Sequence, residues 1–101
     1  MLFLVISTPR PEKPSTLTDS RKSFWDWMQP LLDAGQCKSV HARVGRGVVA
    51  LFDVDSNLTL HRLMNEWADI IAAHFDVYPL LDPAQAKAFL QSQAEPDQSF
   101  G

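Results

Sequence analysis

The sequence has a single cysteine and no long apolar run, and each of these scarcities excludes a class of protein. Because Cys37 stands alone, no disulfide can form within the chain, which is typical of proteins from the reducing cytoplasm. No segment approaches the roughly 18 apolar residues that a membrane-spanning helix needs. The apolar opening, residues 1–6, lacks a basic leader and a small-residue cleavage site, so it predicts a strand and not a signal peptide. We therefore expect a cytoplasmic protein with no membrane partner.

Positive charge is also scarce, since 9 Lys and Arg stand against 12 Asp and Glu and give a net charge of −3. Nucleic-acid binding requires a concentrated basic surface, so we expect no nucleic-acid partner. No glycine-rich phosphate loop, nucleophile elbow or Cys/His zinc motif occurs. The three histidines, at positions 41, 61 and 74, lie too far apart for a helical zinc site. The sequence predicts neither a metal nor a cofactor.

What is present suits one small domain, because the chain has 101 residues and 46% of them are apolar. We assign residues 1–93 to this domain and residues 94–101 to a polar C-terminal tail. A domain of this size buries only about 60–65% of the surface of its unfolded chain. Association with a second copy would add to that burial.

Hydrophobic periodicity predicts the element order β-α-β-β-α-β followed by a short helix. The first helix is expected from Ser15 or Thr16 to Gly35, with a capping box at Thr16 and Asp19 and a kink or break near Pro30. This order is typical of the ferredoxin-like α+β fold, with two helices on one face of a four-stranded antiparallel sheet. The predicted strands cover residues 2–7, 38–44, 48–53 and 74–81, residues 53–56 cap the second helix, and the C-terminal helix covers residues 83–93.

The first and third predicted strands are apolar on both faces, whereas the helices cover only one face of the sheet. The simplest cover for the other face is the same face of a second copy. The pattern therefore predicts a homodimer, or a higher homo-oligomer, in which the two sheets pack face to face.

Four stretches resemble those of a known family: the opening Met-Leu-Phe-x-Val, Leu51-Phe-Asp-Val-Asp-Ser56, Leu60-His-x-Leu-Met64 and Asp76-Val-x-x-Leu80. They look like the corresponding stretches of muconolactone Δ-isomerase-type proteins of the dimeric α+β barrel superfamily, and the resemblance covers residues 1–83. It implies a cofactor-independent acid–base isomerisation or rearrangement of a small lactone or of an aromatic or polyketide-type metabolite, in aromatic catabolism. Some superfamily members bind haem, for which His41 or His74 would be the axial ligand by analogy. The family's Pro-Leu-Phe-Pro-Tyr-like segment is missing, so no catalytic residue is carried over.

The candidate catalytic residues lie on the polar faces of the two predicted edge strands. Isomerisation at a carbon acid needs a base that titrates near neutral pH and donors for the enolate oxygen. His41 or His74 would be the base, and Arg43 or Tyr78 would stabilise the enolate. The two groups would meet across a dimer interface. In the alternative interpretation these faces are simply solvated, and Asp76 forms an interface salt bridge with Arg43.

The candidate ligand-binding residues are Trp25, Trp67 and Asp76. Trp67 falls on the apolar stripe of the second helix, where a core position is the alternative role. Trp25 is rotated off the main apolar face of its helix, so it would line a pocket between helix and sheet or cover the kink. An aromatic-lined pocket suits a small apolar or aromatic metabolite. A non-catalytic module that binds such a molecule, or that only oligomerises, is the alternative function.

Overall fold

The structure, a computed structural model, describes residues 1–94 and shows a four-stranded antiparallel sheet with two helices packed on one face. This confirms the ferredoxin-like fold. Of the predicted tail, Ala94 ends the last helix and residues 95–101 lie outside the described part. The elements are β1 (Leu2–Pro9), α1 (Thr18–Ala34), β2 (Cys37–Ala42), β3 (Val48–Asp53), α2 (Asn57–Ile70), β4 (Ala73–Leu80) and α3 (Pro83–Ala94).

The strand order is β2-β3-β1-β4, which confirms that β2 and β4 are the edges of the sheet. One row of paired residues crosses all four strands: His41 pairs with Val49, Val49 with Ile6, and Ile6 with Asp76. Neighbouring strands lie about 4.8 Å apart, so His41 and Asp76 stand about 14 Å apart at opposite edges.

The core lies between the two helices and the inward face of the sheet, and Trp67 of α2 is at its centre. This side chain is only 2% exposed. Its ring centroid lies 4.8 Å from that of Phe24 and 5.0 Å from that of Phe75. Val5 and Phe52, from the two central strands, are fully buried beneath it. The prediction that Trp67 belongs to the core stripe is confirmed.

Helix α1 starts later than the sequence predicts and ends at Gly35 as predicted. It runs through Pro30 without the predicted break. Proline removes the hydrogen bond to the carbonyl of Asp26, but both residues lie on the exposed side, where water can replace it. The predicted capping box does not form, because the helix begins at Thr18. The hydroxyl of Thr16 instead donates to the carbonyl of Lys13 at 2.8 Å, within a preceding 3-10 turn.

Two other boundaries follow from hydrogen bonds near the ends of elements. Within the predicted capping segment 53–56, Ser56 caps α2, since its hydroxyl accepts from the backbone N–H of Thr59 at 3.1 Å. Strand β2 ends at Ala42, before the predicted end at residue 44. There the N–H of Arg43 donates to the carbonyl of Gly47 at 2.9 Å and closes the β2–β3 turn.

Helix α3 forms over nearly its predicted range but adds nothing to the core. Most of its described side chains are exposed, among them Phe89 and Leu90. No helix within residues 1–94 is long and apolar enough to cross a membrane.

Candidate functional site

A cavity of about 140 Å³ lies on the helix side of the sheet, between the first turns of α1, the end of α2 and the β2–β3 turn. Its volume is close to the roughly 150 Å³ of an engineered protein cavity that holds benzene. The cavity therefore has room for one six-membered ring. Its aromatic lining consists of Phe24, Trp25 and Trp67, and its charged lining consists of Arg21, Arg43 and Arg46.

The three aromatic rings form a continuous wall that runs from the core to the surface. Trp67 is buried, and the ring centroid of Phe24 lies 4.8 Å from it. Trp25 meets Phe24 edge to face at 5.0 Å and is 44% exposed, so it forms the rim of the cavity. Both tryptophans that the sequence nominates as ligand-binding residues thus border the same space, one at its base and one at its mouth.

The β2–β3 turn forms the opposite wall and is fixed against β1. Nη1 of Arg43 donates to the carbonyl of Ser7 at 3.0 Å and to the hydroxyl of Thr8 at 3.2 Å. The Ser7 hydroxyl, buried in the same place, accepts from the N–H of Val48 at 2.9 Å. These bonds hold the guanidinium of Arg43 beside the cavity.

The other two arginines differ in how firmly the protein holds them. Nη1 of Arg46 donates to the carbonyls of Arg10 and Glu12, at 3.2 and 3.1 Å, and ties the turn to the proline-rich connection. Arg21, on the first turn of α1, makes no hydrogen bond or ion pair with the residues that the structure describes. No ion pair of the described chain involves any of the three arginines. Within residues 1–94, their positive charge is therefore not neutralised by a neighbouring carboxylate.

The remaining predicted site residues lie on the other side of the sheet. The face without helices, here called the open face, carries the apolar side chains of Leu2, Leu4, Ile6, Val49 and Leu51. His41 lies at its β2 edge, and His74, Asp76 and Tyr78 lie at its β4 edge. Within β4, Nε2 of His74 lies 3.2 Å from Oδ1 of Asp76.

The structure therefore divides the predicted site into two groups. Arg43 was expected to share a face with His41, but the strand ends at Ala42 and the turn directs Arg43 to the helix side. Strand alternation no longer holds beyond that point. Arg43 joins Trp25 and Trp67 at the cavity, while His41, His74, Asp76 and Tyr78 lie apart from it.

Two arginines of the cavity were not predicted from the sequence. Arg21 precedes Trp25 by four residues, so helical spacing places them on one face, and this signal was available. In the sequence, Arg46 lies at the tip of a turn, where an exposed charge is common. Nothing in the sequence indicates that this turn packs against β1.

Among the described residues, the lining contains no side chain that suits a general base. His, Asp, Glu, Lys, Tyr and Cys are all missing from the described residues that line it. The groups whose pKa departs from its ordinary value lie elsewhere: burial raises the pKa of Cys37, and hydrogen bonds lower that of Asp55, from Thr59, and that of Glu66, from Trp27. Within residues 1–94, no three His, Cys, Asp or Glu side chains gather as a metal site would require.

The chain is similar to one described protein family and to solved structures of other proteins. The profile of a family described as a domain of unknown function, DUF3303, matches residues 1–94. No curated protein matches the sequence. A similar solved structure is 5-chloro-2-hydroxyhydroquinone dehydrochlorinase (TftG) from Burkholderia phenoliruptrix AC1100 in complex with 2,5-dihydroxybenzoquinone. Its TM-score is 0.67 at 16% identity, over 84% of this chain and 98% of that chain, a likeness that shows the fold.

Proposed function

Because the chain belongs to the DUF3303 family, whose description assigns no activity, we propose its function from the cavity: it binds a small aromatic molecule there and acts on it as an enzyme. The observation that carries the proposal is a space for one ring, walled by Phe24, Trp25 and Trp67. Aromatic pairs favour edge-to-face and offset contacts, which this wall offers to a planar ligand. TftG, named for its action on a chlorinated hydroquinone, gives a precedent for such a ligand on this fold.

The chemistry that we propose is cofactor-independent acid–base isomerisation or rearrangement, as the resemblance to muconolactone isomerases implies. In such a reaction a proton leaves carbon or oxygen, and negative charge develops on the enolate or phenolate oxygen. Arg43, already held beside the cavity by Ser7 and Thr8, would stabilise that charge. His41 and His74 do not reach the cavity of their own chain, so water at the mouth, beside Trp25, would take the proton and return one to another carbon of the ligand, which completes the isomerisation with no net change in protons.

A non-catalytic binding module is the second candidate. The lack of a general base among the lining side chains of the described chain favours it. Such a module would bind the same aromatic molecules without converting them. Turnover therefore separates the two candidates.

We also propose that the protein is a homodimer that packs the open face against the open face of a second copy. Leu4, Ile6 and Leu51 are apolar side chains on a sheet face that no described helix covers. A two-fold axis parallel to the strands would place each β2 opposite the β4 of the second copy. His41 would then approach His74, Asp76 and Tyr78 across the interface, as the sequence predicts. A cytoplasmic location also stays a prediction.

Tryptophan fluorescence tests the binding proposal. Purified protein is titrated with small lactones and aromatic acids, and absorbance spectra follow any conversion of the ligand. We expect saturable quenching that Trp25→Ala weakens at least fivefold. Trp27→Phe is the matched control, because Trp27 does not line the cavity, and it should keep the affinity. The proposal would be refuted if Trp25→Ala leaves the affinity unchanged, or if none of these molecules binds.

A further inference from the structure

The cavity collects positive charge in a protein whose net charge is negative. Three of the 9 Lys and Arg line it, and no acidic side chain of the described residues does. A random surface of this composition would mix both signs. The local excess indicates a ligand that carries negative charge.

The hydrogen-bonding groups of the lining also indicate a negatively charged ligand. A guanidinium has five N–H donors and no acceptor. Arg43 and Arg46 use only Nη1 with the described residues, which leaves Nε and Nη2 without a protein partner there. The hydroxyl of Ser7 is engaged with Val48. The side chains of the cavity thus offer donors to a ligand and almost no acceptors.

We propose that the ligand is a single-ring carboxylate, bound with its ring against Trp25 and Trp67 and its carboxylate on Arg21 and Arg43. This rests on the proposed function and names its substrate class. A planar guanidinium fits a carboxylate with two parallel hydrogen bonds, which makes it selective for that group. Arg21 is the cation of the site that no described residue engages, whereas Arg46 mainly holds the proline-rich connection.

The test compares benzoate with benzamide, a neutral molecule of nearly the same shape, by calorimetry and tryptophan fluorescence at matched ionic strength. We expect benzoate to bind at least about tenfold more tightly, and its affinity to fall as salt increases. Arg21→Gln should weaken benzoate about tenfold and leave benzamide unchanged. Lys22→Gln removes the same charge from the neighbouring residue, outside the cavity, and should change neither affinity.

The outcomes separate this inference from the function on which it rests. If benzoate and benzamide bind with equal affinity and Trp25→Ala weakens both, the proposed selectivity for a carboxylate is wrong, but the proposed aromatic-binding site is supported. The assignment of the ligand as a carboxylate is also wrong if Arg21→Gln and Arg43→Gln leave the affinity for benzoate unchanged. If neither molecule nor any other aromatic probe binds, the proposed function fails and the carboxylate assignment fails with it.

Discussion

Gly47 lies so close to the carbonyl oxygen of Ser7 that its backbone leaves no room for a Cβ atom. Its φ of 105° also lies in the region that favours glycine. The same carbonyl accepts the hydrogen bond from Nη1 of Arg43. One glycine therefore allows the β2–β3 turn to close on β1 and sets the charged wall of the cavity.

Replacing Gly47 should cost more than replacing its neighbour in the same turn. Gly45 also has a positive φ, of 95°, but open space where a Cβ would be. Gly45→Ala should lower the free energy of unfolding by about 1–2 kcal/mol, from backbone strain alone. Gly47→Ala adds the clash with Ser7 and should cost at least twice as much in urea unfolding. Equal losses of unfolding free energy in the two variants would show that the close approach of Gly47 to the Ser7 carbonyl adds no penalty for a Cβ atom.

The hydrogen bond between Trp27 and Glu66 should make stability depend on pH in the acid range. The indole N–H donates to the carboxylate at 2.9 Å and lowers the pKa of Glu66 below its ordinary value of 4.5. The folded state then holds its proton less tightly than the unfolded state. The stabilisation is present above pH 4.5 and is lost as the pH falls through the folded pKa.

The effect is modest, because the Glu66 side chain is 40% exposed. Urea unfolding at a series of pH values measures it. Glu66→Gln and Trp27→Phe should both flatten the acid side of the profile, since each removes one partner. A Trp27→Phe variant that keeps the wild-type profile would contradict this account.

The thiol of Cys37 should be unreactive in the folded protein. It is 1% exposed, and burial raises its pKa, so little thiolate forms near neutral pH. A disulfide reagent such as DTNB should react slowly in buffer and rapidly in urea. Stability should fall above pH 9.0, the ordinary value, because the unfolded state then releases the proton that the folded state keeps. Equally fast reaction in both solvents would show that β2 opens readily.

The dimer predicts a difference between two identical substitutions. Leu4→Glu places a charge in the middle of the open face, whereas Leu58→Glu places one at an exposed position of α2. Sedimentation should show a dimer for the wild type and for Leu58→Glu, and a monomer for a folded Leu4→Glu. Circular dichroism checks folding. A wild-type monomer at high concentration would refute the dimer.

The fold could be predicted from the sequence because its signals are local and repeated. The strand at Val48–Asp53 has the predicted bounds, since turn residues delimit it on both sides. For α1 the sequence predicts a kink or a break near Pro30, and the helix is unbroken there, because the local rule does not show that residues 26 and 30 face water. The sequence pattern also nominated Trp25 and Trp67 without showing that they share a cavity.

The site could not be predicted as fully, because it depends on where the chain leaves a strand. Alternation placed Arg43 beside His41, and the turn placed it on the other side of the sheet. Arg46 joins the cavity only through contacts with residues more than thirty positions away. Contacts between residues so far apart in the chain produce no periodic pattern in the sequence.

The most direct test of the central claim is the response of the three indole N–H signals in a ¹H–¹⁵N NMR spectrum as benzoate is added. Tryptophan-to-phenylalanine variants assign the signals. We predict saturable shifts for Trp25 and Trp67, which line the cavity, and a much smaller one for Trp27, whose N–H is bound to Glu66. Shifts confined to open-face residues such as His41 and Tyr78, with the indole signals of Trp25 and Trp67 unmoved, would contradict the account.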